Sequence, residues 1–144
     1  MQERINNITE RIKRLLFNYD LTIAAIQAEI NLRDSNIELI DSVVAASNKK
    51  DYTKKQLKEI TLLKADKVVF ENCLEKTLSR RNKLLENIST IFERFNNHDV
   101  LEKIFIEKYL KEITPEEENN LKTKYPEYDE IIKIIDSLLI TIYK

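Results

Sequence analysis

The chain has 144 residues, 42% hydrophobic and 34% charged, with two prolines and no glycine. That length suits one domain with a real core. Without glycine there is no Walker phosphate loop, Rossmann fingerprint or glycine-rich nucleotide lid, and β-sandwiches or barrels with many tight turns are disfavoured, which leaves an all-α fold. Lys and Arg number 24 against 25 Asp and Glu, a net charge of -1. This balance excludes both a polybasic coat for nucleic acid and an acidic mimic of it.

Ile5, Ile8, Ile12, Leu15, Tyr19, Ile23, Ile26 and Ile30 recur at spacings of three and four. They predict an amphipathic helix from about residue 3 to 32. Asp34-Ser35-Asn36 interrupts it, and Ser35 with Glu38 reads as a capping box for a short second helix to Ala46. Residues 47–51 read as a polar loop. Thr53 then caps a long third helix, with a stripe through Leu57, Ile60, Leu63, Lys67, Phe70, Leu74, Leu78, Arg81, Leu85, Ile88, Phe92 and Phe95. About 40 helical residues would extend ~60 Å, so this helix needs an elongated partner. The first helix supplies one, as an antiparallel, coiled-coil-like hairpin or as half of a homodimer.

Asn96-Asn97-His98-Asp99 ends the hairpin. A fourth helix follows at about 100–112, with Leu101, Ile104, Phe105 and Tyr109 on one face. Thr114-Pro115-Glu116-Glu117 combines a cap, a proline suited to the first helical position and a capping-box glutamate, so a fifth helix runs from 115 to about 124. Tyr125-Pro126 ends it, because the residue before proline is pushed out of helical space. A sixth helix, about 127–143, carries Tyr128, Ile131, Ile132, Ile135, Leu138, Leu139 and Ile142. The expected organisation is a hairpin with a short intervening helix over 1–96 and a compact three-helix unit over 97–144, in one continuous fold.

Catalytic constellations are missing from the pattern. His98 is the one histidine and has no second His or Cys at ligand spacing, so no metal site is expected. Glu116 with Glu117, and Asp129 with Glu130, read as solvated charges rather than acid–base pairs. No Glu-x-x-His occurs, which disfavours a di-iron bundle. The chain therefore reads as a non-enzyme with no catalytic residue, cofactor or small-molecule substrate. Cys73, which sits between apolar residues in the helical pattern, is expected to be a small buried hydrophobe. No apolar run approaches the ~18 residues of a membrane span, and the charged start MQERINNITERIKR has no signal-peptide pattern, so a cytoplasmic location is expected. The richness in Ile, Lys and Asn points to an AT-rich genome, that of a low-GC bacterium or its mobile elements.

Two surfaces are candidates for binding. Lys49, Lys50, Lys54, Lys55 and Lys58 cluster where the long third helix opens and could meet phosphates or an acidic partner. The sixth helix offers an apolar face of Tyr128, Ile131, Ile135, Leu138, Leu139 and Ile142 for a protein partner.

The stretch from Leu101 through Glu102, Lys103, Ile104, Phe105, Ile106, Glu107, Lys108 and Tyr109 to Leu110, followed by Thr114-Pro115-Glu116-Glu117, resembles the phage transcription regulators of the ArpU and RinA type. The resemblance implies a helix-turn-helix similar to sigma-factor region 4 behind an N-terminal helical region. The sixth helix departs from that pattern. It begins Glu127-Tyr128-Asp129-Glu130, where a DNA-reading helix needs Arg, Lys, Asn, Gln or Ser to meet base edges and phosphates. The expected function is that of a small regulatory protein of a phage or mobile element, acting by binding a repressor, polymerase subunit or defence component. A DNA-binding regulator using the lysine cluster and a purely oligomerising coiled-coil protein are the alternatives.

Overall fold

A computed structural model describes residues 2–47, 51–111 and 113–142. Among them every regular element is helical: α1 (Gln2–Ala46), α2 (Lys54–Phe92), α3 (His98–Phe105) running into a π-helical turn (Ile106–Leu110), α4 (Pro115–Lys124) and α5 (Tyr128–Ile142). The fold is all-α, an antiparallel hairpin of two long helices followed by a small helical unit. By its contacts the chain groups into two compact units: Met1–Phe17 with Asn82–Lys144, and Asn18–Arg81.

The expected break at Asp34-Ser35-Asn36 does not occur, and the short intervening helix is part of α1. The triplet contains neither proline nor glycine, and its neighbourhood is held by α2. Asp34 Oδ1 lies 2.7 Å from Lys67 Nζ, and the Arg33 guanidinium sits 4.7 Å from the centre of the Phe70 ring. These contacts outweigh the local capping preference of Ser35.

The hairpin seam follows a period of 3.5 residues. In α1 the buried or half-buried positions Ile5, Thr9, Ile12, Leu16, Tyr19, Ile23, Ile26, Ile30, Arg33, Ile37, Ile40 and Val44 are alternately four and three apart. In α2 they are Gln56, Ile60, Leu63, Lys67, Phe70, Leu74, Thr77, Arg81, Leu84, Ile88 and Ile91. The expected stripes coincide with this line at most positions and miss it by one residue at Ile8, Leu15, Leu57, Leu78, Leu85 and Phe92. Leu15, Leu57 and Leu78 are consequently exposed, while the polar Thr9, Gln56 and Thr77 take seam places. Cys73 is likewise exposed rather than buried.

Capping chemistry positions the starts of two helices. The Gln56 amide donates to Thr53 Oγ1 (3.1 Å) while the Thr53 amide donates to Gln56 Oε1 (2.8 Å), a reciprocal capping box. The Glu117 amide donates to Thr114 Oγ1 at 3.2 Å and Pro115 takes the first turn of α4, as the local motif predicts.

The core lies in the unit that contains the C-terminal helices. Ile5 and Ile12 of α1, Ile88 and Phe92 of α2, and Leu101, Ile104 and Phe105 of α3 pack with Tyr109 and with Tyr128, Ile131, Ile135, Leu138 and Leu139 of α5. The Phe105 ring centre lies 5.6 Å from that of Phe92 and 5.8 Å from that of Tyr109. The π-turn accounts for the last contact. On a regular α-helix Lys108, seven residues after Leu101, would face inward. The wider turn, closed by the Lys111 amide donating to the Ile106 carbonyl (3.0 Å), brings Tyr109 inward instead and moves Lys108 to the rim.

Candidate interaction surfaces

Two places in the structure hold side chains that the core does not fully explain. The first is a polar cluster at the edge of the C-terminal core. The Tyr109 hydroxyl donates to the Asp136 carboxylate, which ties the π-turn to α5. Burial pushes the Tyr109 phenol well above its ordinary value, and this hydrogen bond adds to the shift. Tyr128 is 2% exposed, and its hydroxyl has no hydrogen-bond partner among the described residues. Burial, reinforced by the negative charges of Glu118 and Asp129, pushes its pKa up to about 12. Lys108 Nζ lies 5.7 Å from the Tyr128 ring centre and Lys122 Nζ 6.0 Å from it. Both ammonium groups approach Glu118, at 3.9 and 3.8 Å. The cluster staples α4 and the π-turn to α5, and neutral phenols at the edge of a core need no ligand to account for them.

The second is the outer surface of residues 18–81. Here α1 and α2 run antiparallel, in a register marked by Arg81 Nε on Asp20 Oδ1 (2.8 Å), by the Lys67–Asp34 pair and by the Tyr52 hydroxyl donating to Asp41. The hydrogen bond from Lys67 to Asp34 raises the lysine pKa, and the bond to Asp41 does the same for Tyr52.

On the side of α1 away from this seam, Leu21, Ala24, Ala28, Leu32, Ser35, Leu39, Ser42 and Ala46 trace a second strip at spacings of three and four. Every one is exposed and none is charged. Leu21 is 58% exposed, Leu32 52% and Leu39 64%. The corresponding strip of α2 is Lys54, Lys58, Leu62, Ala65, Val69, Asn72, Lys76 and Arg80, also exposed throughout. It has an apolar middle and cationic ends. A groove of about 520 Å³ lies beside Asn72, Glu75, Lys76, Ser79 and Arg80. The composition of α1 disguises its strip, because apolar residues on two opposite sides cancel the one-sided pattern that periodicity detects. The signal that finds it is a count of apolar positions falling off the seam.

The residues singled out from the sequence are distributed differently from expectation. Lys54, Lys55 and Lys58 are exposed on the first turns of α2, while Lys49 and Lys50 lie outside the described residues. The expected protein-binding face of the last helix is instead the core. Tyr128, Ile131, Ile135, Leu138 and Leu139 are between 0% and 6% exposed, covered by α3, the π-turn and the hairpin ends of the same unit. The side chain of Ile142 lies outside the described residues. What α5 leaves exposed at its start is Glu127, Asp129 and Glu130, three carboxylates that would repel a phosphate backbone. His98 Nδ1 lies 3.0 Å from Asp99 Oδ1, a local contact at the start of α3. Among the described residues no group of three or more His, Cys, Asp or Glu side chains is placed to hold a metal ion, and no helix is long and apolar enough to cross a membrane.

In comparisons with protein-family models, with curated proteins and with solved structures, the chain has no match.

Proposed function

We propose that the protein is a helical interaction module that acts by binding protein, and that its working surface is the outer side of the hairpin segment 18–81. The observation that carries this reading is the uncharged strip from Leu21 to Ala46, whose leucines stay more than half exposed. Single exposed apolar residues are ordinary, but an uncharged strip along a helix with three well-exposed leucines marks a surface that another chain covers. The C-terminal unit does not compete for this role, because its apolar face is consumed by its own core. The resemblance of residues 101–110 and 114–117 to phage transcription regulators supports a regulatory setting in a phage or mobile element. A repressor, polymerase subunit or defence component is the expected class of target there. In-cell photocrosslinking tests the reading: a benzophenone side chain at Leu39 should form protein adducts, and one at the exposed Lys133 of α5 should not. Adducts that are equally absent at both positions refute it.

A second reading, contact with duplex DNA, draws support from the exposed cations Lys54, Lys58, Lys76 and Arg80 on one strip. Replacing Lys49, Lys50, Lys54 and Lys55 with Ala should then abolish a salt-sensitive mobility shift of duplex DNA, and an unshifted duplex at low salt excludes it.

A further inference from the structure

We infer that the two outer strips of residues 18–81 are the halves of one self-contact, with the strip of α1 in one copy seated on the strip of α2 in the next. The inference rests on the reading of the hairpin as a protein-binding surface and names the occupant of that surface, a second copy of this chain.

Charge selects the pairing. Between 18 and 46 the chain carries Asp20, Glu29, Asp34, Glu38 and Asp41 against a lone cation, Arg33, whereas the strip of α2 carries Lys54, Lys58, Lys76 and Arg80. Inside the hairpin Asp20, Asp34, Glu29 and Asp41 are already engaged by Arg81, Lys67, Arg33 and Tyr52. None of the four strip cations forms an ion pair among the described residues, and although Glu59, Asp66 and Glu75 are exposed on the same helix, the balance of charge on the outside of α2 stays positive. Seating α1 on α1 would bring together two segments that each carry a net charge of -4 over 18–46, and seating α2 on α2 two that each carry +4 over 54–81. Only α1 on α2 brings opposite signs together.

Shape and length agree with this choice. The strip of α1 alternates leucines with Ala24, Ala28, Ser35 and Ser42, small residues that let a second helix approach closely. That of α2 presents Leu62 and Val69 between long cationic side chains whose stems can lie over apolar surface. From Leu21 to Ala46 and from Lys54 to Arg80 each strip covers about 40 Å at ~1.5 Å per residue, so neither overhangs the other.

The two strips point away from each other across the hairpin seam, so the contact is heterologous. A copy that has used one strip still offers the second, and the assembly grows until it closes into a ring or continues as a chain of hairpins.

Sedimentation velocity on the full-length chain tests this with two variants, each altered on one strip at exposed positions. One carries Leu32→Lys and Leu39→Lys on α1, the other Leu62→Glu and Val69→Glu on α2. The wild type should form species larger than a dimer that grow with concentration and shrink as salt is raised. Each variant alone should sediment as a monomer with unchanged helical circular dichroism. An equimolar mixture should give a 1:1 dimer and nothing larger, since each partner supplies the one strip the other retains. A version with glutamine at the same two positions replaces either pair should helicity fall. A wild type that stays monomeric at low salt overturns the inference, as does a single-strip variant that associates like the wild type. A monomeric wild type whose Leu39 crosslinks to a different protein, or whose α2 strip shifts duplex DNA, overturns it as well. The crosslinked outcome leaves the protein-binding reading of the hairpin standing.

Discussion

Replacing Ile135 with Ala separates the core from the binding surface most directly. Ile135 is 0% exposed in the middle of α5, within the cluster that joins α5 to α3 and to the hairpin ends of the same unit. The substitution removes three carbons, roughly 2.4 kcal/mol at ~0.8 kcal/mol per buried methylene. The cavity left in this core cluster raises the expected loss to about 3–4 kcal/mol. With a urea dependence of ~2 kcal/mol per molar, the unfolding midpoint should fall by about 1.5–2 M. Leu39→Ala is the matched control. Leu39 is 64% exposed and alanine is an equally good helix former, so its midpoint should move by the equivalent of less than ~0.5 kcal/mol. Chemical denaturation followed by circular dichroism measures both. The reasoning fails if Ile135→Ala unfolds at the wild-type midpoint, or if Leu39→Ala costs as much, because burial would then have been assigned to the wrong helix.

Three further outcomes follow from the same geometry. Thr114→Ala removes the oxygen that accepts from the Glu117 amide and should cost about 1 kcal/mol in urea unfolding, with Thr114→Ser restoring most of it. Tyr128→Phe removes a buried hydroxyl that has no partner among the described residues, so it should leave stability unchanged or raise it by up to ~1–3 kcal/mol, and a loss above ~1 kcal/mol would show that the hydroxyl is satisfied. The two raised phenols make the fold sensitive to alkali. An unfolded tyrosine ionises near its ordinary value of 10.0, whereas folded Tyr128 holds its proton to about 12 and Tyr109 shifts in the same direction. The associated stability is therefore fully present below pH ~10 and is lost as pH rises from there towards ~12. A Tyr109→Phe, Tyr128→Phe variant should flatten that decline in denaturation midpoints measured across the window.

Local chemistry accounts for much of the architecture. Thr53 with Gln56, and Thr114 with Pro115 and Glu117, act over three or four residues, so the starts of α2 and α4 can be read without knowing what packs on them. The polar triplet Asp34-Ser35-Asn36 misleads for the opposite reason. Its capping preference is local, but Asp34 and Arg33 are held by Lys67 and Phe70 more than thirty residues away. Tyr109 shows the same division: its place on the apolar face is legible, while the π-turn that brings it inward is set by packing.

Among the binding candidates, the exposure of Lys54, Lys55 and Lys58 was legible because lysine seldom loses its water. The role of Tyr128, Ile131, Ile135, Leu138 and Leu139 was not, since an apolar helical face serves equally as core or as docking surface. Periodicity reports that a face must be covered, and it is silent about which chain covers it. The missing glycine, the caps and the apolar spacings of three and four by themselves determine an all-α chain with long amphipathic helices, because each is a property of backbone torsions or of neighbours on one helix. Only the tertiary structure decided that the last helix is buried and that Leu21, Leu32 and Leu39 remain outside. Burial is a property of pairs of segments distant in sequence, and those pairings exist only once the chain has folded.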